Sequence, residues 1–207
     1  MGCAKPSPLH WEDLRNQQAS ELLAKPGVTA SSDGHTFEVA FLNASYLVDP
    51  VAEHIAELKP VLERRLSQEF QILLIRYLTA PNGGPLLEEL VSEKDFPGGV
   101  TFFQGPHAMP VEPIIDLYAN KPLLFLERGR ELGASEEPYG DAALRFSPFP
   151  SIPVTYILWR ADDEFSASVK ILFDKSISNW FELDMIFTLV LVLTARIVEK
   201  HTIQSEP

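Results

Sequence analysis

PVTYILWRADDEFSASVKILFD, at residues 153–174, largely determines the architecture that the sequence predicts. Two apolar runs, 154–159 and 166–173, flank the polar residues 160–164. Branched and aromatic side chains fill both runs, which is typical of β-strands. The polar residues between them include Asp, which favours turns because its side chain accepts hydrogen bonds from nearby backbone amides. The stretch therefore predicts an antiparallel β-hairpin.

Further strands are expected nearer the amino end of the chain. Segments 28–32, 36–42 and 45–48 are rich in apolar residues and are separated by short turn sequences, which is typical of a β-meander. Another strand is expected at 143–146. The segment 147–153 is rich in proline, which lacks a backbone donor, and is therefore predicted not to form a central strand.

Helical spacing of apolar residues marks most of the remaining segments. We expect helices at 10–24, 60–78, 85–93 and 184–200, two short helices between 112 and 132 that stop before Gly133, and an apolar strand at 100–103. The last helix is strongly apolar over about 16 residues, short of the roughly 20 needed to cross a bilayer. It is therefore expected to be a buried core helix or a dimer helix, without membrane insertion.

Together these patterns predict an α+β fold in which a mainly antiparallel sheet packs against helices, with the apolar helix at the carboxyl end. The chain of 207 residues suits a single domain over 1–207, and its 45% apolar and 22% charged residues are an ordinary globular composition. We expect residues 1–9 and 201–207 to be flexible tails.

Charge and cysteine content narrow the classes of function. The formal net charge is -12, and an acidic surface repels phosphate groups, so nucleic-acid binding is not expected. The single cysteine, Cys3, excludes an internal disulfide and a cluster ligated by several thiolates of this chain. Residues 1–14 lack the apolar region of a signal peptide, so a cytoplasmic location is expected.

The predicted hairpin and its loop hold the densest group of candidate functional residues: Trp159, Asp162, Asp163 and Glu164. Clustered carboxylates can ligate a hard cation, or share a proton as a general acid or base. The spacing matches no metal-binding signature, so no metal is assigned, and a plain polar turn is the favoured interpretation.

Two further aspartates complete the candidate cluster. Asp141 precedes one predicted strand, and Asp174 closes another. Both could meet Glu164 at one end of the sheet. Asp174 is alternatively the N-cap of a helical turn, and capping is favoured because it is the commoner use of Asp at such a junction. His107 lies in a loop rich in Gly and Pro and is interpreted as a surface residue.

The chain resembles a family of bacterial and archaeal proteins known as domain of unknown function 3786. The resemblance rests on an early aromatic helix with Trp11, FEVAFLNASYLV at 37–48, LLIRYL at 73–78, Gly140-Asp141 and, most sharply, PVTYILWRADDEFSASVKILFD at 153–174. It implies an α+β domain, often from anaerobes, and some members are linked to iron-sulfur domains of the corrinoid-protein type. It carries no catalytic residue over to this chain. Because the chain has a single cysteine, an iron-sulfur role would act only through a partner.

Two functions remain open at this point. The favoured one, because catalytic motifs are missing, is an accessory or binding module. Its acidic, aromatic surface would engage a partner protein or a large cofactor in anaerobic metabolism, corrinoid or iron-sulfur linked. The other is a hydrolase or transferase, metal-assisted or not, whose carboxylates meet in one pocket. Those carboxylates are Asp141, Asp163, Glu164 and Asp174. A homodimer is also expected if the last helix leaves an apolar face uncovered.

Overall fold

The fold contains both helices and antiparallel sheets, which confirms the predicted α+β class. The computed structural model describes residues 6–32, 34–60 and 65–199. The expected tail at 201–207 lies outside these ranges, as do residues 1–5 of the expected tail at 1–9.

The segment predicted as one helix at 10–24 contains two, α1 (Pro8–Arg15) and α2 (Ala19–Leu23). α1 packs against the helix at Gln68–Thr79, whereas α2 packs against the first strand. Gln18 adopts an extended conformation between them. The prediction of one helix was wrong because the apolar spacing continues across a break at which the two halves take different packing partners.

Among the described residues, the first sheet is an antiparallel meander of four strands in chain order: β1 (Val28–Ala30), β2 (Phe37–Phe41), β3 (Ala44–Asp49) and β4 (His54–Leu58). The first three confirm the predicted meander. The fourth was missed because its polar and apolar residues do not alternate cleanly. The Asp49 carboxylate holds the turn before β4 by accepting hydrogen bonds from the amides of Val51 and Ala52 at 2.9 and 2.8 Å.

The helix α3 (Gln68–Thr79) runs through the middle of the core. It begins after Ser67, whose hydroxyl accepts a hydrogen bond from the Phe70 amide at 3.2 Å. The predicted start near residue 60 was therefore wrong, and residues 61–64 lie outside the described ranges. The buried side chains of α3 are Phe70, Leu73, Leu74, Ile75, Tyr77 and Leu78.

The segment 85–93 is not the predicted helix. It contains β5 (Leu90–Val91), a short strand at the edge of the second sheet. The amides of Leu87 and Glu88 donate hydrogen bonds to the Asp174 carboxylate, and Glu88 has a φ of 56°, which lies outside the right-handed helical region. The apolar spacing of the segment gave no sign of this distant partner.

Three helices follow: α4 (Gly99–Phe102), α5 (Glu112–Tyr118) and α6 (Pro122–Glu131). α4 replaces the strand predicted at 100–103, because a short apolar run does not distinguish a strand from a buried helix. α5 and α6 confirm the two predicted short helices. Gly133, with a φ of 79°, provides the left-handed residue that ends α6.

The second sheet is antiparallel and contains β5 and four later strands. These are β6 (Ser135–Glu136), β7 (Ala142–Phe149), β8 (Ile152–Trp159) and β9 (Ser168–Asp174). Their order across the sheet is β5-β9-β8-β7-β6. β8 and β9 confirm the predicted hairpin. Because β8 is the central strand, its side chains are buried on both faces of the sheet.

The proline-rich segment 147–153 contributes to two strands, contrary to the prediction. The register shifts between Phe146 and Phe149, and β8 pairs with both neighbours only from Val154 onward. Proline is tolerated where the ladder is interrupted, because its missing N–H is not needed there.

The predicted apolar helix at the carboxyl end is α7 (Leu183–Val198), which contacts α3 and α5. The Tyr156 hydroxyl of β8 lies 3.1 Å from the Thr194 hydroxyl of α7, in a buried hydrogen bond. The apolar side chains of α7 that are buried by its own chain are Met185, Ile186, Leu189, Val190, Val192, Leu193 and Ile197. Within the described ranges, no helix is long and apolar enough to span a membrane.

Candidate functional site

The loop that follows β8 and the turn that precedes β7 meet at one end of the second sheet. We call residues 139–141 and 159–165 the hairpin end. The Asp141 amide donates to the Leu158 carbonyl at 2.9 Å, and the Asp141 carboxylate accepts from the Arg160 amide at 2.8 Å. A second contact, an ion pair, joins the Asp141 carboxylate to the Arg160 guanidinium at 3.4 Å. Asp141 therefore fastens the turn to the end of β8.

Gly140 allows this close approach. Its φ is 56°, and a Cβ atom there would lie 2.7 Å from the Leu158 carbonyl oxygen and 3.3 Å from Trp159 Cε2. Only glycine fits such a position without displacement of the neighbouring backbone. The Gly140-Asp141 pair thus forms a turn that packs closely against Leu158 and Trp159.

The hairpin loop is held by Asp162. Its carboxylate accepts hydrogen bonds from the amides of Glu164 and Phe165 at 2.9 and 2.7 Å, and these bonds lower the pKa of Asp162. The Asp162 amide in turn donates to the Phe165 carbonyl at 2.9 Å. Asp162 is therefore a turn residue, whereas the neighbouring Asp163 and Glu164 are exposed to solvent.

Aromatic side chains stand beside these carboxylates. Phe165 is 69% exposed and Tyr139 is 41% exposed, while Trp159 is half-buried. The hairpin end thus combines apolar aromatic surface with an excess of negative charge. Such a surface suits binding of a partner with apolar and basic groups.

Asp174 lies at the opposite end of the sheet. Trp159 pairs with Ser168 at the hairpin end, and Asp174 closes β9 six residues later, about 20 Å away at 3.4 Å per residue. The proposed meeting of Asp141, Asp163 and Glu164 with Asp174 is therefore not formed. This separation removes the geometric basis of a four-carboxylate pocket.

The structure gives Asp174 the capping role that the sequence favoured. Its carboxylate accepts hydrogen bonds from the amides of Ser176, Leu87 and Glu88 at 3.0, 3.0 and 2.7 Å. Burial raises the pKa of Asp174, but the hydrogen bonds from Ser176, Leu87 and Glu88 outweigh it and leave the pKa below its usual value. Asp174 thus joins β5, β9 and the turn before α7.

No metal centre is assembled in the part of the chain that the structure describes: no three His, Cys, Asp or Glu side chains are placed to hold an ion. The single cysteine lies outside that part. The residues present therefore do not fit an iron-sulfur cluster. His107 stacks on Phe102 with ring centroids 4.6 Å apart and meets the edge of Phe187 at 5.3 Å, as expected of a surface histidine packed on aromatic rings.

A cleft that the sequence did not predict lies between the end of α3 and the start of α7. It encloses about 210 Å³, and its lining includes Arg76, Asn179, Trp180, Glu182 and Met185. Arg76 lies about a hundred positions before the other four in the chain, and no local pattern connects it to them. Only a run of like charges or a known sequence motif could have indicated the cleft from the sequence.

Lys25 is a buried cation beside this cleft. It is only 6% exposed, its ammonium donates to the Ala80 carbonyl at 2.5 Å, and it lies 5.8 Å from the centre of the Trp180 ring. Burial lowers the pKa of Lys25, while the nearby Glu21 raises it to a smaller extent.

A family model described as "Domain of unknown function (DUF3786)" matches residues 19–196. The match includes both sheets and the helices α2 to α6. It confirms the resemblance noted in the sequence. No curated protein and no solved structure matches the chain.

Proposed function

Because the chain belongs to the DUF3786 family, whose description names no activity, we propose a function from its own surface: an accessory module that binds a partner protein. The hairpin end is the docking surface, and the partner presents an apolar segment flanked by basic residues. The observation that carries this proposal is the exposed Phe165 ring within a fixed acidic loop.

The aromatic side chains supply the affinity. Covering one exposed Phe side chain contributes about 1.5–3 kcal/mol, and aromatic residues are frequent among the side chains that dominate interfaces. Phe165 is also held in place, since its backbone makes hydrogen bonds in both directions with Asp162. A surface that is ordered before binding loses less conformational entropy when a partner docks.

The carboxylates supply attraction and selectivity. Asp163 and Glu164 are exposed at the tip, and the whole chain carries a net charge of -12. A basic partner is drawn to such a surface from a distance, and the attraction weakens as salt is added. Acidic partners are repelled for the same reason.

The family resemblance suggests a partner from anaerobic metabolism, in the cytoplasm, that carries a corrinoid or an iron-sulfur cluster. Any such cofactor would belong to the partner, since the described residues hold no set of metal ligands. The homodimer expected from α7 is not the assembly we propose, because most apolar side chains of that helix are buried by its own chain and most of the others are partly buried.

The test is a comparison of matched variants as bait. Purified wild type, Phe165→Ser and Leu123→Ser are each immobilised on a resin and incubated with an oxygen-free extract of the host. The captured proteins are quantified by mass spectrometry. Leu123, on α6, is the control because it is as exposed as Phe165, at 72% against 69%. Asp163→Lys is compared in the same way with Asp116→Lys on α5.

We expect one protein whose capture falls at least about tenfold with Phe165→Ser and with Asp163→Lys, as for a central interface residue. Its capture should be unchanged with Leu123→Ser and Asp116→Lys. Equal losses at the hairpin end and at the control positions would contradict the proposal, as would the absence of any protein that distinguishes them.

A further inference from the structure

The cleft between α3 and α7 contains a guanidinium without an acceptor. Arg76, in the last turn of α3, is half-buried and lines the cleft, but its guanidinium makes no hydrogen bond or ion pair with any described residue. Arg128, which is also half-buried, instead donates to the carbonyls of Arg196 and Ile197. The donors of Arg76 are thus free to bind a ligand.

Two neighbouring features favour a negative ligand at this place. The buried ammonium of Lys25 contacts Ala80 and Trp180, which both line the cleft. The positive end of the α7 dipole lies at its edge, where the side chain of the N-cap residue Glu182 makes no capping hydrogen bond and the Asp184 carboxylate accepts from the Met185 amide at 2.9 Å. Lys25 and Arg76 thus place two cations at one cleft of a chain of net charge -12, offset in part by Glu182 and by Glu21 near Lys25.

We propose that the cleft binds a small oxyanion, a carboxylate or a phosphate group, with Arg76 as its principal donor. The guanidinium presents paired N–H groups that match both kinds of anion. The cleft volume of about 210 Å³ is below the roughly 300–1,000 Å³ of sites for drug-sized ligands, so the ligand is a small molecule or one end of a larger one. Glu182 is the one acidic side chain of the lining and limits the affinity by repulsion.

The indole N–H of Trp180 provides a reporter for binding. Trp180 lines the cleft, and its Nε1 is buried without an acceptor. In a ¹⁵N–¹H spectrum the chain gives indole signals from Trp11, Trp159 and Trp180, which can be assigned by comparison with Trp180→Phe. The protein is titrated at constant ionic strength with inorganic phosphate and, separately, with succinate.

We expect the Trp180 signal to shift and saturate with at least one anion, while the Trp11 and Trp159 signals stay in place. Saturation with phosphate alone, or with succinate alone, identifies the class of ligand. Arg76→Gln should raise the dissociation constant at least about tenfold, since it removes charged hydrogen bonds. Glu182→Gln should lower it roughly two- to fivefold, because a like charge is removed.

The control is Arg65→Gln, which removes the same charge before the opposite end of α3 and should leave the dissociation constant unchanged. Arg76→Lys separates charge from geometry and should bind more weakly than wild type but more tightly than Arg76→Gln. A lack of saturation with both anions would overturn the proposal, as would equal weakening by Arg65→Gln and Arg76→Gln. The hairpin end is not involved, so the outcome is independent of the proposed protein partner.

Discussion

Removal of the Asp174 carboxylate tests the role that the structure gives to this residue. Asp174→Ala leaves the amides of Ser176, Leu87 and Glu88 without their acceptor. A hydrogen bond to a charged group contributes about 1.5–3 kcal/mol, and Ser176 is buried, so its amide has no access to water in compensation. The other two amides can reach water in part. We therefore expect the free energy of unfolding to fall by about 3 kcal/mol at pH 7. This figure counts the bond from the Ser176 amide in full and the bonds from Leu87 and Glu88 in part.

The assay is urea denaturation followed by tryptophan fluorescence, with Asp162→Ala as the control. Asp162 also accepts hydrogen bonds from two backbone amides, but it lies in an exposed loop, so its removal should cost clearly less than the removal of Asp174. The pKa of folded Asp174 is below its usual value, so its contribution is complete above about pH 4 and is lost as the pH falls through the folded pKa. Equal destabilisation by the two substitutions, or a loss for Asp174→Ala that does not shrink in acid, would refute the reasoning.

Two other predictions concern single positions. Gly140→Ala should destabilise the fold by at least about 1 kcal/mol more than Gly105→Ala in the same urea assay. Both glycines have a positive φ, but only a Cβ at 140 would clash with the backbone. Equal losses would show that the backbone moves to remove the clash at 140. Lys25→Met should remove a rise in stability that wild type shows as the pH increases towards about 10.4, the unfolded pKa of lysine. Burial lowers the folded pKa of Lys25, so the unfolded state binds more protons in that range and stability increases with pH; parallel curves for the two proteins would contradict this assignment.

Local sequence patterns were sufficient to predict those strands and helices that bury one regular face. The hairpin of β8 and β9, the meander of β1 to β3 and the helix α7 all have their apolar residues at the spacing their structure requires. The same holds for Asp162, whose partners lie two and three residues further along the chain. A residue that bonds to its neighbours in sequence can be interpreted without the fold.

Distant partners explain what local patterns missed. The segment 85–93 has helical spacing, yet its amides bond to Asp174, more than eighty residues later. The cleft between α3 and α7 likewise joins Arg76 to residues beyond 175. The separation of Asp174 from Glu164, by contrast, already follows from the predicted hairpin, because its loop lies at one end of the two strands and Asp174 closes β9 at the other. Residues that the chain brings together over such distances leave no periodic signal.

Photo-cross-linking in the living host tests the central claim, that the hairpin end is the docking surface. p-Benzoylphenylalanine replaces Phe165 in one strain and Leu123 in another, two positions of similar exposure on different elements. We predict a cross-link to one protein from position 165, weakened when Asp163→Lys is added, and no such cross-link from position 123. The same products from both positions, or none from position 165, would contradict the account.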